Sequence, residues 1–219
     1  MTPSRADQDL GYLFVVTYGR SGSTLLAGVL NSIPGYLIRG ENNDALRHLY
    51  EFHTTLMTER ENRPNTGSRT HPWFGIAGVP EQKLLRGARR LALDTVLRPR
   101  PDTRVTGFKE IRWWKPDLEG YVAWLRQVFP GARFVVNTRD HEAVLASKWY
   151  RGKPDAAAGL AATEERLLAL ADALGPAAHR VHYDTYVADP ERFGALFDWL
   201  GEEFDVARVR ETLAVRHSV

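Results

Sequence analysis

The chain has 219 residues, 43% of them hydrophobic and 26% charged, with a formal net charge of +2. That is enough chain for one large domain with its own core, and the near-neutral balance excludes the broad basic field of a nucleic-acid-coating protein. Cysteine is absent, which removes disulfide frameworks, thiol nucleophiles, Fe–S clusters and cysteine-based zinc sites together and fits a reducing compartment.

The first ten residues carry Arg5 and two aspartates, and the apolar run that follows them is too short for a signal sequence. No stretch approaches the roughly 18 apolar residues of a spanning helix, so a cytoplasmic chain is expected. Residues 12–17 form a continuous apolar run and predict the first strand. Leu25, Leu26, Val29 and Leu30 share one helical face, and residues 36–38 predict a second strand. Residues 59–80 hold three prolines, three glycines and little periodicity, which predicts a long surface loop that is either mobile or functional, with a lid or acceptor-binding loop the expectation. A helix is expected over 81–97, then a strand over 105–108, and a helix carrying Leu118, Tyr121, Val122 and Leu125 on one face. A strand over 134–137 opens after the turn pair Pro130-Gly131, followed by helices over 142–150 and 159–174, a strand over 181–183 and a helix over 191–200. Strands alternating with helices, and apolar on both faces, predict an α/β fold: a single domain over 1–219 with a P-loop-like parallel sheet covered by helices on both sides.

In such a sheet, ligands bind beyond the carboxyl ends of the strands. The first end reads Thr17-Tyr18-Gly19-Arg20-Ser21-Gly22-Ser23-Thr24, directly before a helix. Gly19 and Gly22 let the backbone curl so that successive N–H groups point inward; Ser23 and Thr24 can hydrogen-bond an anion at the helix N-terminus, and Arg20 adds a forked cation. A capped strand–helix turn is the plainer alternative. A kinase-type phosphate loop would need Gly-Lys-Ser/Thr, whereas Ser23 follows Gly22 here, so a phosphotransferase is the runner-up reading.

This loop closely resembles the 5′-phosphosulfate loop of the sulfotransferases that use 3′-phosphoadenosine-5′-phosphosulfate (PAPS). Many members carry Lys at the place of Arg20; the Arg-Ser-Gly-Ser-Thr form is common in carbohydrate and bacterial enzymes, and the Arg- and Ala-rich composition fits a bacterial source. The resemblance implies that Arg20, Ser21, Gly22, Ser23 and Thr24 hold the 5′-phosphosulfate. Asn137-Thr138-Arg139-Asp140, with Ser147 eight residues after Arg139, is similar to the family's 3′-phosphate signature, which would make Arg139 and Ser147 the second anion grip. Tyr183-Asp184-Thr185-Tyr186, with Asp189-Pro190 and Trp199-Leu200-Gly201 beyond it, resembles a third family segment and would put Tyr183 near the adenine; a core or turn role is the alternative. Two family features are missing. Lys109-Glu110-Ile111 stands where cytosolic aryl and steroid enzymes have Lys-Thr-His with a catalytic His, and the basic tail 208–217 does not match their C-terminal Arg-Lys-Gly loop.

Sulfuryl transfer needs a base for the acceptor hydroxyl and cationic donors for the sulfuryl oxygens, and no metal. Glu41, just past the second strand, matches the place of the catalytic Glu in carbohydrate and tyrosylprotein sulfotransferases; Glu110 is the second candidate, and helix capping or ion pairing are the plainer uses of each. Lys109 takes the family's post-strand lysine position, which by the resemblance would stabilise the transferring group; an ordinary exposed lysine is the alternative. The histidines offer no metal pair, since His179 and His182, like His48 and His53, lack the needed spacing. Trp113, Trp114, Trp73, Phe74 and Trp149 either line an acceptor cleft or belong to the core. The implied reaction moves a sulfuryl group from PAPS to a hydroxyl of a sugar, lipid or small-molecule acceptor and releases adenosine 3′,5′-bisphosphate.

Overall fold

The computed structural model describes residues 10–215; the leader reading over residues 1–9 and the end of the basic tail at Arg216 and His217 lie outside that range. Five strands, β1 (Gly11–Val16), β2 (Tyr36–Arg39), β3 (Val105–Glu110), β4 (Arg133–Thr138) and β5 (Ala178–His182), form one parallel sheet in the order β2-β3-β1-β4-β5. The side chains of β1 alternate between two cores. Tyr12, Phe14 and Val16 enter one, and Leu13 and Val15 the other, all of them buried. This two-sided burial is why the strand reads as an unbroken apolar run.

The first core is covered by α2 (Ala45–Asn62), α3 (Glu81–Ala92), α4 (Leu118–Val128), α5 (His141–Leu145) and α6 (Ala156–Leu174). Phe14 anchors it, with ring centroids 4.8 Å from Phe108, 5.5 Å from Phe129 and 5.6 Å from Phe134. The second core is covered by α1 (Ser23–Asn31), α7 (Tyr183–Ala188), α8 (Gly194–Leu200) and α9 (Val206–Ala214). None of these helices is long and apolar enough to cross a membrane.

The architecture matches the expectation, and its edges differ. The helix α2 was not anticipated as an element: it buries only Leu46, Arg47, Tyr50 and Met57, so its apolar stripe is thin. It also takes the first four residues of the expected 59–80 loop. What remains folds on itself, with the Gly75 N–H donating to the Thr66 carbonyl at 3.2 Å and the Arg63 guanidinium 3.9 Å from the Trp73 ring centroid. Past α3 the chain continues as a π turn through Leu93–Leu97. The edge strand β5 starts three residues before the expected 181–183 and ends before Tyr183, which opens α7. Its residues are half-exposed, so its apolar signal is faint. The expected 142–150 helix is the short α5 followed by turns, which puts Ser147 in a bend and not inside a helix.

At Gly107, mid-β3, a Cβ would come 1.6 Å from the Leu13 carbonyl oxygen. A Gly107→Ala chain is therefore expected to lose about 2–3 kcal/mol or more of stability in urea unfolding, because the central β1–β3 pair must separate to admit the methyl group. Unchanged stability would contradict this account of the strand contact.

Candidate active site

The register sets the site. Val16 of β1 lies opposite Glu110 of β3 and Val136 of β4, so the three central strands end side by side, with Glu41 just beyond the end of β2. The chain leaves β1 toward β2 on one side and crosses from β3 over β1 to β4 on the other. This reversal of direction is where open α/β sheets bind ligands.

The loop after β1 is bent by two left-handed residues, Arg20 (φ 67°) and Gly22 (φ 75°), and Gly22 caps α1. A non-glycine in that region carries strain that surrounding contacts must hold. Those contacts are buried. Thr17 Oγ1 hydrogen-bonds the Ser21 hydroxyl and the Asn137 carbonyl, both at 2.7 Å, and the Asn137 amide donates to the Ser21 carbonyl at 2.9 Å. The Tyr186 hydroxyl donates to Asn137 Oδ1 at 3.2 Å. Ser21 is thus turned inward, leaving its backbone as what it can offer an anion. Ser23 is buried and Thr24 exposed on the first turn of α1, which has no acidic residue there, so the helix dipole favours an anion.

Tyr183 closes the far side. A Cβ on Gly22 would sit 2.0 Å from the Tyr183 ring, so only glycine lets the ring lie against the loop. The Arg139 guanidinium lies 4.3 Å from the centroid of that ring, and its Nη1 donates to the Arg20 carbonyl at 3.0 Å. Arg139 Nε is buried with no hydrogen bond among the described residues, only a loose 3.9 Å ion pair with Asp184, and Ser147 Oγ, in the bend after α5, is likewise buried without a hydrogen-bond partner. Leaving such groups unpaired is costly unless a ligand completes them.

The two acidic candidates are built differently. Glu41 stands partly exposed, with Lys109 Nζ 2.6 Å from one carboxylate oxygen and Arg112 Nη1 3.5 Å from the other. Glu110 is buried and saturated: it accepts from the backbone N–H groups of Asp44 (2.9 Å), Ile111 (2.8 Å) and Asn42 (3.3 Å) and from Arg112 (2.9 Å). Burial pushes the Glu110 carboxyl up, but the Ile111 and Asp44 N–H donors and the Arg112 guanidinium outweigh it and hold the group below the usual carboxylate range. Its lone pairs orient the residues that follow Glu41 and the start of the loop after β3.

Two clefts meet here. One of about 620 Å³ is lined by Arg20, Ser23, Thr24, Glu41, Lys109, Arg139 and Tyr183 among others, with Leu213 and Val215 at the end of α9 adding an apolar rim. A second of about 560 Å³ opens beside it, and Gly19, Ile111 and Trp149 belong to both. Trp114 and Trp149 reach the second cleft, whereas Trp113 is a core residue stacked on Phe108. No residue of 59–80 is among those lining either cleft. Among the described residues no group of His, Asp and Glu is placed to hold a metal ion. The ion pair of Glu110 with Arg112 is the plainer use expected of that acid, whereas the locking of the loop by Thr17 and Asn137, the link of Arg112 to Glu41 and the α9 rim are visible in the structure alone.

Because Glu110 is depressed when folded, its contribution is present above the unfolded value of about 4.3 and is lost as pH falls through the lower folded value. Glu110→Gln is expected to cost about 2 kcal/mol at pH 7, and the gap to the unsubstituted protein should close as pH drops below about 4. Urea midpoints measured across pH check this; a gap independent of pH would show that the carboxylate's charge is irrelevant.

Comparison with known proteins agrees with this architecture. A model described as "Sulfotransferase family" matches residues 13–206. No curated protein sequence matches the chain. Among solved structures, the sulfotransferase domain of an olefin synthase from Synechococcus PCC 7002 aligns with TM-score 0.59 at 20% identity, over 96% of this chain and 78% of that one. The sulfotransferase domain of the curacin biosynthetic pathway aligns with TM-score 0.58 at 17% identity, over 94% and 79%. A sulfotransferase from Mycobacterium avium gives 0.53 at 14%, over 96% and 69%. At these identities the structural likenesses speak for the fold alone; the family match, running from the middle of β1 to the start of α9, shows that this chain belongs to the sulfotransferase family.

Proposed function

We propose that the protein transfers a sulfuryl group from PAPS to an acceptor hydroxyl. The observation that carries the reading is that Arg139, whose Nε is buried without a hydrogen bond, lines the same cleft as Arg20, Ser23 and Thr24 of the loop. A nucleotide with phosphates at both the 5′ and 3′ positions satisfies both features; ATP lacks the 3′-phosphate. In this reading Arg20, Ser23, Thr24 and the backbone of Ser21 and Gly22 hold the 5′-phosphosulfate, Arg139 and Ser147 hold the 3′-phosphate, and Tyr183 faces the base. The donor supplies an activated sulfur: as the acceptor oxygen bonds to it, the bond to the 5′-phosphate oxygen breaks and adenosine 3′,5′-bisphosphate leaves.

Glu41 takes the acceptor proton. Lys109, paired with it, sets a cation beside the place where negative charge builds on the sulfuryl oxygens. Glu110 is unsuited to the task, because its lone pairs are filled and its affinity for a proton is lowered.

Glu41→Gln is expected to lower turnover of labelled PAPS by about 10²- to 10⁴-fold while calorimetric binding of the bisphosphate stays within a few-fold. Ser147→Ala should weaken the bisphosphate about tenfold or more and leave adenosine 5′-phosphosulfate, which lacks the 3′-phosphate, nearly unaffected. A phosphotransferase would instead be stabilised by ADP with magnesium in thermal unfolding and not by the bisphosphate. That outcome would overturn the proposal.

A further inference from the structure

The second cleft bears on the acceptor, and the inference from it rests on the sulfotransferase reading. Its volume of about 560 Å³ suits a small organic molecule. Ile111, Trp114, Trp149, Tyr150, Pro154 and Leu160 supply its apolar walls, and no Asp, Glu, Asn, Gln or His lines it. Three of the polar groups that reach it are already engaged. Thr163 Oγ1 donates to the Gly159 carbonyl at 2.7 Å. The Tyr18 hydroxyl donates to the Glu164 carboxylate and accepts from the Arg139 N–H at 2.8 Å. Arg112 is held by Glu110 and Glu41.

A sugar placed there would meet no carboxylate, amide or imidazole side chain for its hydroxyls, and each one left unpaired would cost about 1–3 kcal/mol. The lining instead repays apolar and ring surface. One cation is different. Lys153 Nζ lies 4.6 Å from the Trp149 ring centroid and 5.4 Å from that of Tyr150, and no carboxylate pairs with it among the described residues. An ammonium held over two aromatic faces at the wall of an apolar cleft is a counter-ion for an anionic group on the ligand. Arg112, which lines this cleft and also contacts Glu41, marks the end from which an acceptor hydroxyl reaches the base.

We infer that the acceptor is an apolar alcohol or phenol bearing a carboxylate, bound with its apolar body between Trp149 and Leu160, its acid toward Lys153 and its hydroxyl toward Glu41. The test measures binding rather than turnover. With adenosine 3′,5′-bisphosphate present, tryptophan fluorescence is titrated with 4-hydroxyphenylpropionate and 3-hydroxydecanoate, with the methyl ester of each, and with a disaccharide. At least one acid should bind about tenfold more tightly than its ester, and the disaccharide should not bind measurably. Lys153→Met, at an exposed position, should reduce that acid to the affinity of its ester and leave the ester unchanged. Disaccharide binding as tight as the acids', equal affinity of each acid and its ester, an unmoved acid affinity in Lys153→Met, or failure of both acids to bind would each overturn the inference. Bisphosphate binding, followed calorimetrically in the same samples, keeps the two readings apart: its absence sinks the sulfotransferase proposal, while its presence with any of those outcomes sinks the acceptor class alone.

Discussion

Asn137 is the residue on which the arrangement of the site depends. It has no exposed surface at the end of β4, and its amide reaches across to the Ser21 carbonyl while its own carbonyl accepts from Thr17. These bonds tie the loop after β1 to the neighbouring strand, and Tyr186 secures the amide from α7. The loop's left-handed Arg20 persists because its neighbours are held on both sides by bonds shielded from water. Without that tether the N–H groups of the loop and the first turn of α1 would have no fixed direction, and an anion would have to pay for ordering them.

The pair of glutamates shows how surroundings assign roles to one residue type. Glu110 ends β3 inside the protein, and three backbone donors and a guanidinium consume its oxygens. It therefore acts as a scaffold, joining the segment before α2 to the turn after β3. Glu41 sits just past β2 with cations, Lys109 and Arg112, for partners among the described residues and access to the cleft. Arg112 touches both, so the structural acid helps hold the cation that faces the exposed one.

The cleft near the loop is rich in cations, and its neighbour is walled by aromatic and aliphatic side chains, with Trp149 and Ile111 at the boundary. That contrast has a physical use. A charged donor gains from fixed N–H groups and guanidinium forks, whereas an apolar acceptor gains from area removed from water. A net charge of +2 over the whole chain is compatible with this because the relevant cations are few and local: Arg20, Lys109, Arg112 and Arg139.

The sequence by itself determined what depends on local chemistry. The apolar run of β1, the glycine-bent loop, Gly22 before a helix and the strand-end Arg139 were all legible because burial on both faces and left-handed turns demand particular residue types. Helix α2, the true extent of β5 and the short α5 were not, since each has one thin or half-exposed face that leaves little periodicity. Tertiary structure alone decided which glutamate is saturated, that Trp113 belongs to the core while Trp114 and Trp149 reach a cleft, that 63–80 folds against itself, and that the end of α9 reaches the cleft rim. Those outcomes turn on contacts between residues distant in sequence, such as Asn137 with Ser21 or Asp44 with Glu110. They are set by the register in which parallel strands end side by side, and no local pattern records that register.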